Sequence, residues 1–162
     1  IDPSVVLTYR DEYPKILGIN DLGFKVMLPQ EFLIGKSSSL RNFSVSKKFN
    51  DYKLLGHCIE KVDAQFSQKQ WKDLFRCFDL SLDIIEVGCC GMAGTFGHET
   101  EHFEDSLGIY KLSWKNNIPL NHYNRGNVLV TGFSCRSQIL RFEGFRPLHP
   151  IQALLREIEH IH

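Results

Sequence analysis

Three short apolar runs set the frame for this chain: 52–56 (YKLLG), 83–88 (DIIEVG) and 127–131 (NVLVT). Each has the length of a buried strand, and each is followed by a loop and then a helical pattern. That order predicts parallel strands joined by right-handed crossovers. The helix after the first run is the clearest. Trp71, Leu74, Phe75 and Phe78 fall at i, i+3, i+4 and i+7, and Ser67 with Gln70 reads as a capping box. Phe103, Leu107, Tyr110 and Trp114 form a second stripe. Pro150 opens a third helix carrying Ile151, Leu154, Leu155 and Ile158. In the first fifty residues, 5–7 and 24–28 read as strands and Pro29 opens a short helix through Phe32 and Leu33. Ser37-Ser38-Ser39 reads as a loop and 40–50 as a connector. The expected fold is α/β, a parallel sheet of about four or five strands flanked by helices.

The cysteines follow this frame. Cys58 lies just past the first run, Cys89 and Cys90 past the second, and Cys135 past the third. In a parallel sheet these positions share the carboxyl edge, where open α/β sheets place their ligand sites. Cys89-Cys90-Gly91 continues as Met92-Ala93-Gly94-Thr95-Phe96-Gly97-His98-Glu99. Paired thiols suit a soft metal, and glycine lets backbone approach a bulky inorganic group. Four thiolates converging from three loops form the usual ligand set of a 4Fe–4S cluster. Zinc, or no metal at all, stays open. Cys77 flanks the Trp71–Phe78 stripe and reads as a small packed side chain. The glycine spacing matches neither a dinucleotide fingerprint nor a phosphate loop.

Composition narrows the class. A chain of 162 residues with 43% hydrophobic content can bury one ordinary core. Nineteen basic and nineteen acidic side chains leave no basic footprint for nucleic acid. No apolar run approaches the roughly 18 residues of a transmembrane segment. An odd count of five cysteines, two of them adjacent, argues against a disulfide framework. It favours a cytoplasmic setting with reduced thiols, free or peripheral to a membrane. The start, Ile1-Asp2-Pro3-Ser4, is neither an initiator methionine nor a signal peptide, and reads as part of a longer protein.

Polar neighbours of the thiols are candidates for roles beside the metal. His57 abuts Cys58. His98 and Glu99 follow the glycine loop at an expected helix start, where capping is the simpler account. Arg136 follows Cys135 and is either a donor to sulfur, a contact for an anionic partner or a surface cation. His149, before Pro150, reads as a helix cap. A faint repeat also runs through the chain. Asp2-Pro3-Ser4-Val5 with Arg10 matches Gly132-Phe133-Ser134-Cys135 with Arg136, and Leu28-Pro29-Gln30-Glu31 matches His149-Pro150-Ile151-Gln152. Val5 then stands where the second copy has Cys135.

Taken together, these segments resemble the cysteine-rich CCG domain family of heterodisulfide reductase B-type subunits and glycolate oxidase iron–sulfur subunits. Its motif runs from a cysteine through Cys-Cys-Gly to Cys-x-x-Cys. Here Gly132 replaces the first cysteine of the closing pair. The wording His57-Cys58, GCCGMAGTFGHE, TGFSCRSQ and His149-Pro150 is most similar to the C-terminal part of FAD-linked 2-hydroxyacid oxidoreductases. The resemblance implies residues 1–49 as the tail of a preceding degenerate CCG-type repeat plus connector, and 50–162 as a complete CCG-type domain. It implies a module of a flavin and iron–sulfur enzyme acting on a D-2-hydroxyacid of the lactate, glycolate or 2-hydroxyglutarate type. Electrons would pass through a cluster on Cys58, Cys89, Cys90 and Cys135, expected in the intact protein more than in an isolated fragment. FAD would lie outside this segment. The implied partners are flavin and ferredoxin-like domains of the same polypeptide and an acceptor such as a quinone; self-association stays open. The alternative is a metal-free or zinc-bound structural domain packed on the flavin domain.

Overall fold

The computed structural model describes residues 2–40, 43, 45 and 51–159. Its centre is a parallel three-stranded sheet of β1 (Asp51–Leu55), β2 (Ser81–Ile85) and β3 (Val128–Val130), in the order β2-β1-β3. They overlap the three apolar runs of the sequence, although β2 ends at Ile85, three residues before the end of the 83–88 run. Leu148 adds one isolated parallel bridge to Leu129. The sheet is therefore narrower than the expected four or five strands, and two segments account for the difference. Residues 5–7 lie in helix α1 (Pro3–Leu7), because Asp2 accepts a hydrogen bond from the Ser4 amide and Pro3 occupies the first turn. That N-terminal signature outweighs the β-branched valines. The 24–28 segment has no strand partner among the described residues; the Val26 carbonyl accepts instead from Arg10.

Helix α1 runs through a π-helical turn (Thr8–Glu12) into α2 (Tyr13–Leu17), and α3 spans Pro29–Ile34 as expected. The Ser37–Ser39 loop is instead the start of α4 (Ser37–Leu40), since serine suits a first helical turn as well as a loop. The connector over 40–50 and the boundary at 49/50 lie largely outside the described residues. Helices α5 (Cys58–Asp63) and α6 (Ser67–Arg76) link β1 to β2. Helix α7 (Phe103–Ser113) lies between β2 and β3; α8 (Phe133–Glu143) and α9 (Pro150–Glu159) follow β3.

Two apolar layers sandwich the sheet. Tyr52, Leu54 and Leu129 pack with Trp71, Leu74, Phe75 and Phe78 of the α6 region and with Ala153 and Leu154 of α9. Leu55, Val128 and Val130 face the other way, onto Tyr110, Trp114 and Ile139. This is strand alternation read out as two cores. The expected capping box on α6 does not form. Ser67 is the first helical residue, and its hydroxyl donates to Glu60. No helix among the described residues is long and apolar enough to cross a membrane.

Two arginine clamps of the same form hold the starts of α3 and α9. Arg10 donates to the Val26 carbonyl and pairs with Glu31, whose carboxylate returns to the Leu28 amide at 2.8 Å. Arg136 donates to the Pro147 carbonyl at 2.9 Å and to Gln152 at 2.9 Å, and Gln152 returns to the His149 amide at 2.9 Å. In both, the guanidinium binds the carbonyl two residues before a Pro-initiated helix cap and the side chain three residues after it.

His149 is a buried cap, as expected: its Nδ1 accepts from the Ile151 amide at 3.2 Å. Burial pushes its pKa down to about 4 from an ordinary 6.5, with nearby Arg136 adding to the effect. The folded ring is thus neutral where the unfolded one takes a proton. This contribution is complete above about pH 6.5 and is lost as pH falls toward 4. A depression of that size is worth about 3 kcal/mol at most. Calorimetric melting from pH 7 down to 4.5 should show a steeper loss of Tm in the wild type than in His149→Asn, which keeps a capping acceptor without titrating. Parallel curves would exclude the effect.

Candidate functional site

The strand order decides where the thiols lie. Because β1 is central, the loops leaving all three strands emerge side by side at the carboxyl edge, as the sequence frame anticipated. Cys58 is the first residue of α5, and Cys135 is the third residue of α8. Both therefore lie at the positive end of a helix, which favours a thiolate. Cys90 and Cys135 are buried, Cys58 and Cys89 half-buried, and none forms a disulfide.

Neighbouring sulfurs shift the ionisation of Cys58, Cys90 and Cys135. The Cys135 thiol donates to Cys90, and this bond, aided by the Met92 amide, lowers the Cys90 pKa despite its burial. Cys135 is correspondingly raised, by that bond to Cys90, by burial and by the charge of Cys58. Of the two, Cys90 is the thiol biased toward its ionised form. Burial raises Cys58, as do the charges of Cys89 and Cys90. Cys77 lies elsewhere, at the end of α6, with its thiol on the Asp73 carbonyl at 3.3 Å.

The double-cysteine loop is held from outside. Lys61 of α5 donates to the Val87 carbonyl, Trp114 to Gly88 at 3.0 Å, and Gln138 of α8 to Cys90 at 2.9 Å. Ser106 of α7 donates to Gly91 at 2.8 Å and Arg141 of α8 to Gly97. Gly91 is obligatory on two counts. Its φ is +88°, and a Cβ there would lie 2.3 Å from the Ser106 carbonyl oxygen. The Gly91 amide in turn donates to Cys89 Sγ at 3.3 Å.

The other candidates separate clearly. His57 is buried at 5% exposure, with Nε2 3.3 Å from Ser134 Oγ. Burial lowers its pKa. His98 and Glu99 are exposed on the turns after the loop; Glu99 bonds to Thr95 at 3.1 Å and pairs with His102 at 3.0 Å. Arg136 spends its guanidinium on the clamp at the start of α9. Sequence reasoning missed Ser134, which sits beside His57, and Asp2, which caps α8 by accepting from the Phe133 amide at 2.7 Å. The Asp-Pro-Ser start was the available signal for Asp2; Ser134 had none.

Gly132, where the CCG resemblance would put a cysteine, has an ordinary φ of −79°. A Cβ there would lie 2.1 Å from His57 Cδ2 and 3.2 Å from Cys135 Sγ. The imidazole thus fills the space a side chain at 132 would need.

The chain is 43% identical over 159 residues to a D-2-hydroxyglutarate dehydrogenase of Escherichia coli (strain K12). It is 46% identical over 158 residues to one of Pantoea ananatis, and 36% identical over 165 residues to one of Haemophilus influenzae. Each match covers 98% of this chain, which spans only 15–16% of the length of these relatives. No family model matches the chain, and no solved structure matches it.

Gly132→Ala should destabilise the protein by about 1–3 kcal/mol through this overlap alone. In a denaturation double-mutant cycle, Gly132→Ala combined with His57→Ala should cost less than the sum of the two. Additive costs would mean the ring does not fill that space.

Proposed function

We propose that this chain is a C-terminal module of a flavin- and iron–sulfur-dependent D-2-hydroxyacid dehydrogenase, of the 2-hydroxyglutarate type. In this reading Cys58, Cys89, Cys90 and Cys135 hold a 4Fe–4S cluster. The observation that carries it is the meeting of four reduced thiols from three adjacent loops at one edge of the sheet. Similarity to D-2-hydroxyglutarate dehydrogenases along the chain supports the substrate class. Flavin and ferredoxin-like domains of the same polypeptide, and an acceptor such as a quinone, complete the scheme.

The donor set fits the group. Thiolate is the required form, and Cys90 is already biased toward it. Tetrahedral zinc with bonds of about 2.3 Å draws its sulfurs to about 3.8 Å of one another. Among the described residues no three cysteine sulfurs lie within 4.8 Å of each other, so the thiols as they stand do not form a closed tetrahedral zinc set. When bound, the cluster supplies one-electron transfer. The chain's own residues hold the thiols in place and exclude water from Cys90 and Cys135, which are 3% and 1% exposed. The paired arginine clamps support residues 1–49 as the tail of a preceding repeat and its connector. A second reading, a zinc-bound or metal-free domain packed on the flavin domain, draws on the glycine at 132.

Iron, acid-labile sulfide and zinc in the anaerobically purified full-length protein discriminate these readings. Cys89→Ser/Cys90→Ser should remove about four irons and four sulfides per chain relative to wild type. Unchanged iron and sulfide would leave this segment a scaffold, and loss of one zinc instead would select the zinc-bound reading.

A further inference from the structure

His57 is a buried polar group at the site with an unexplained side. Its backbone amide donates to Thr131 Oγ1 at 3.1 Å, and its Nε2 lies 3.3 Å from Ser134 Oγ. Its Nδ1 is enclosed and meets no partner. The arrangement follows from the sheet: β1 and β3 are neighbours, so the residues just after them face each other. A neutral imidazole carries a single N–H. Burying that N–H without an acceptor costs more than leaving a lone pair unmet. The proton therefore belongs on Nε2, where Ser134 Oγ accepts it. A serine hydroxyl that accepts on one side keeps its own proton free to turn. Beside it is the sulfur of the next residue: the Ser134 side chain is within hydrogen-bond reach of Cys135 Sγ.

We propose that His57 and Ser134 form a positioning relay, in which Nε2–H donates to Ser134 Oγ and the serine hydroxyl donates to the sulfur of Cys135. The imidazole occupies the place of the missing fifth thiol and acts on the metal site through a hydrogen bond rather than as a ligand. This rests on the cluster reading above. Hydrogen bonds to cluster sulfurs raise the reduction potential by stabilising the electron-rich form. The relay thus sets the potential of the centre held by Cys58, Cys89, Cys90 and Cys135.

The test is a redox titration of the anaerobically purified full-length protein, followed by electron paramagnetic resonance on the signal that Cys89→Ser/Cys90→Ser abolishes. Ser134→Ala and His57→Ala should each move its midpoint to a more negative potential. The double variant should move it no further than the larger single shift, because one relay has been cut twice. His57→Gln, which returns an amide N–H near the Nε2 position, should recover most of the shift. A merely structural histidine would change Tm without moving the potential. An unmoved midpoint in the folded Ser134→Ala protein, or additive shifts in the double variant, would overturn the relay. If Cys89→Ser/Cys90→Ser removes no iron and no signal, the cluster reading itself falls, and the relay with it. If it removes both and Ser134→Ala shifts nothing, only the relay falls.

Discussion

The carboxyl group of Glu60 is the interaction on which the rest of the site depends. It is 1% exposed and is met by three neutral donors: the hydroxyls of Ser67 and Thr131, and the Gln30 amide at 3.2 Å. These come from α6, the end of β3 and α3, so one side chain joins four parts of the chain. Leaving any of these buried groups unmet costs about 1–3 kcal/mol, which makes their geometry hard to relax. Thr131 passes the constraint on: its oxygen donates to Glu60 and accepts from the His57 amide. The entry to α5, with Cys58 on it, is therefore set by a carboxyl one turn further along the helix.

The double-cysteine loop is held by a different device. Irregular backbone carries carbonyls that no strand or helix satisfies. Here Lys61, Trp114, Gln138, Ser106 and Arg141 each supply a donor to one of them. The loop borrows its rigidity from α5, α7 and α8. A cluster gains from thiols that are placed before it binds, because less order is then lost on binding. The hydrogen bond from Cys135 to Cys90 acts in the same direction, since it favours the ionised form of Cys90 that a metal needs.

What the sequence made legible was whatever depends on local apolar pattern. The three strands and the buried stripe of Trp71, Leu74, Phe75 and Phe78 are written in period. The parallel run of the strands then placed the cysteines at one edge without any contact being known. The failures share a cause. At Val5–Leu7 the β-branched pattern competed with the Asp-Pro-Ser cap, and the cap prevailed. At Ser67 a capping signature was present, but a buried carboxyl two helical turns away in sequence had first claim on the hydroxyl. Glu60, Ser134 and the clamp role of Arg136 are long-range satisfactions of buried polar groups. Nothing in local composition announces which distant partner a lone polar residue will meet.

The two arginine clamps separate what the fold needs from what the chemistry needs. Arg10 with Glu31 and Arg136 with Gln152 tie a loop carbonyl and a helix cap in the same way. Their correspondence is one of bonds rather than of spacing: Arg10 stands five residues past Val5, and Arg136 one residue past Cys135. The helices that carry them differ where a metal would matter. Val5 is 55% exposed, whereas Cys135 is 1% exposed and bonded to another thiol. A clamp found at both helix starts and a thiol found beside only one indicate that the arginine serves the fold. The cysteine at 135 is then free of that duty, and the groups around it, His57 and Ser134 among them, answer to the sulfur.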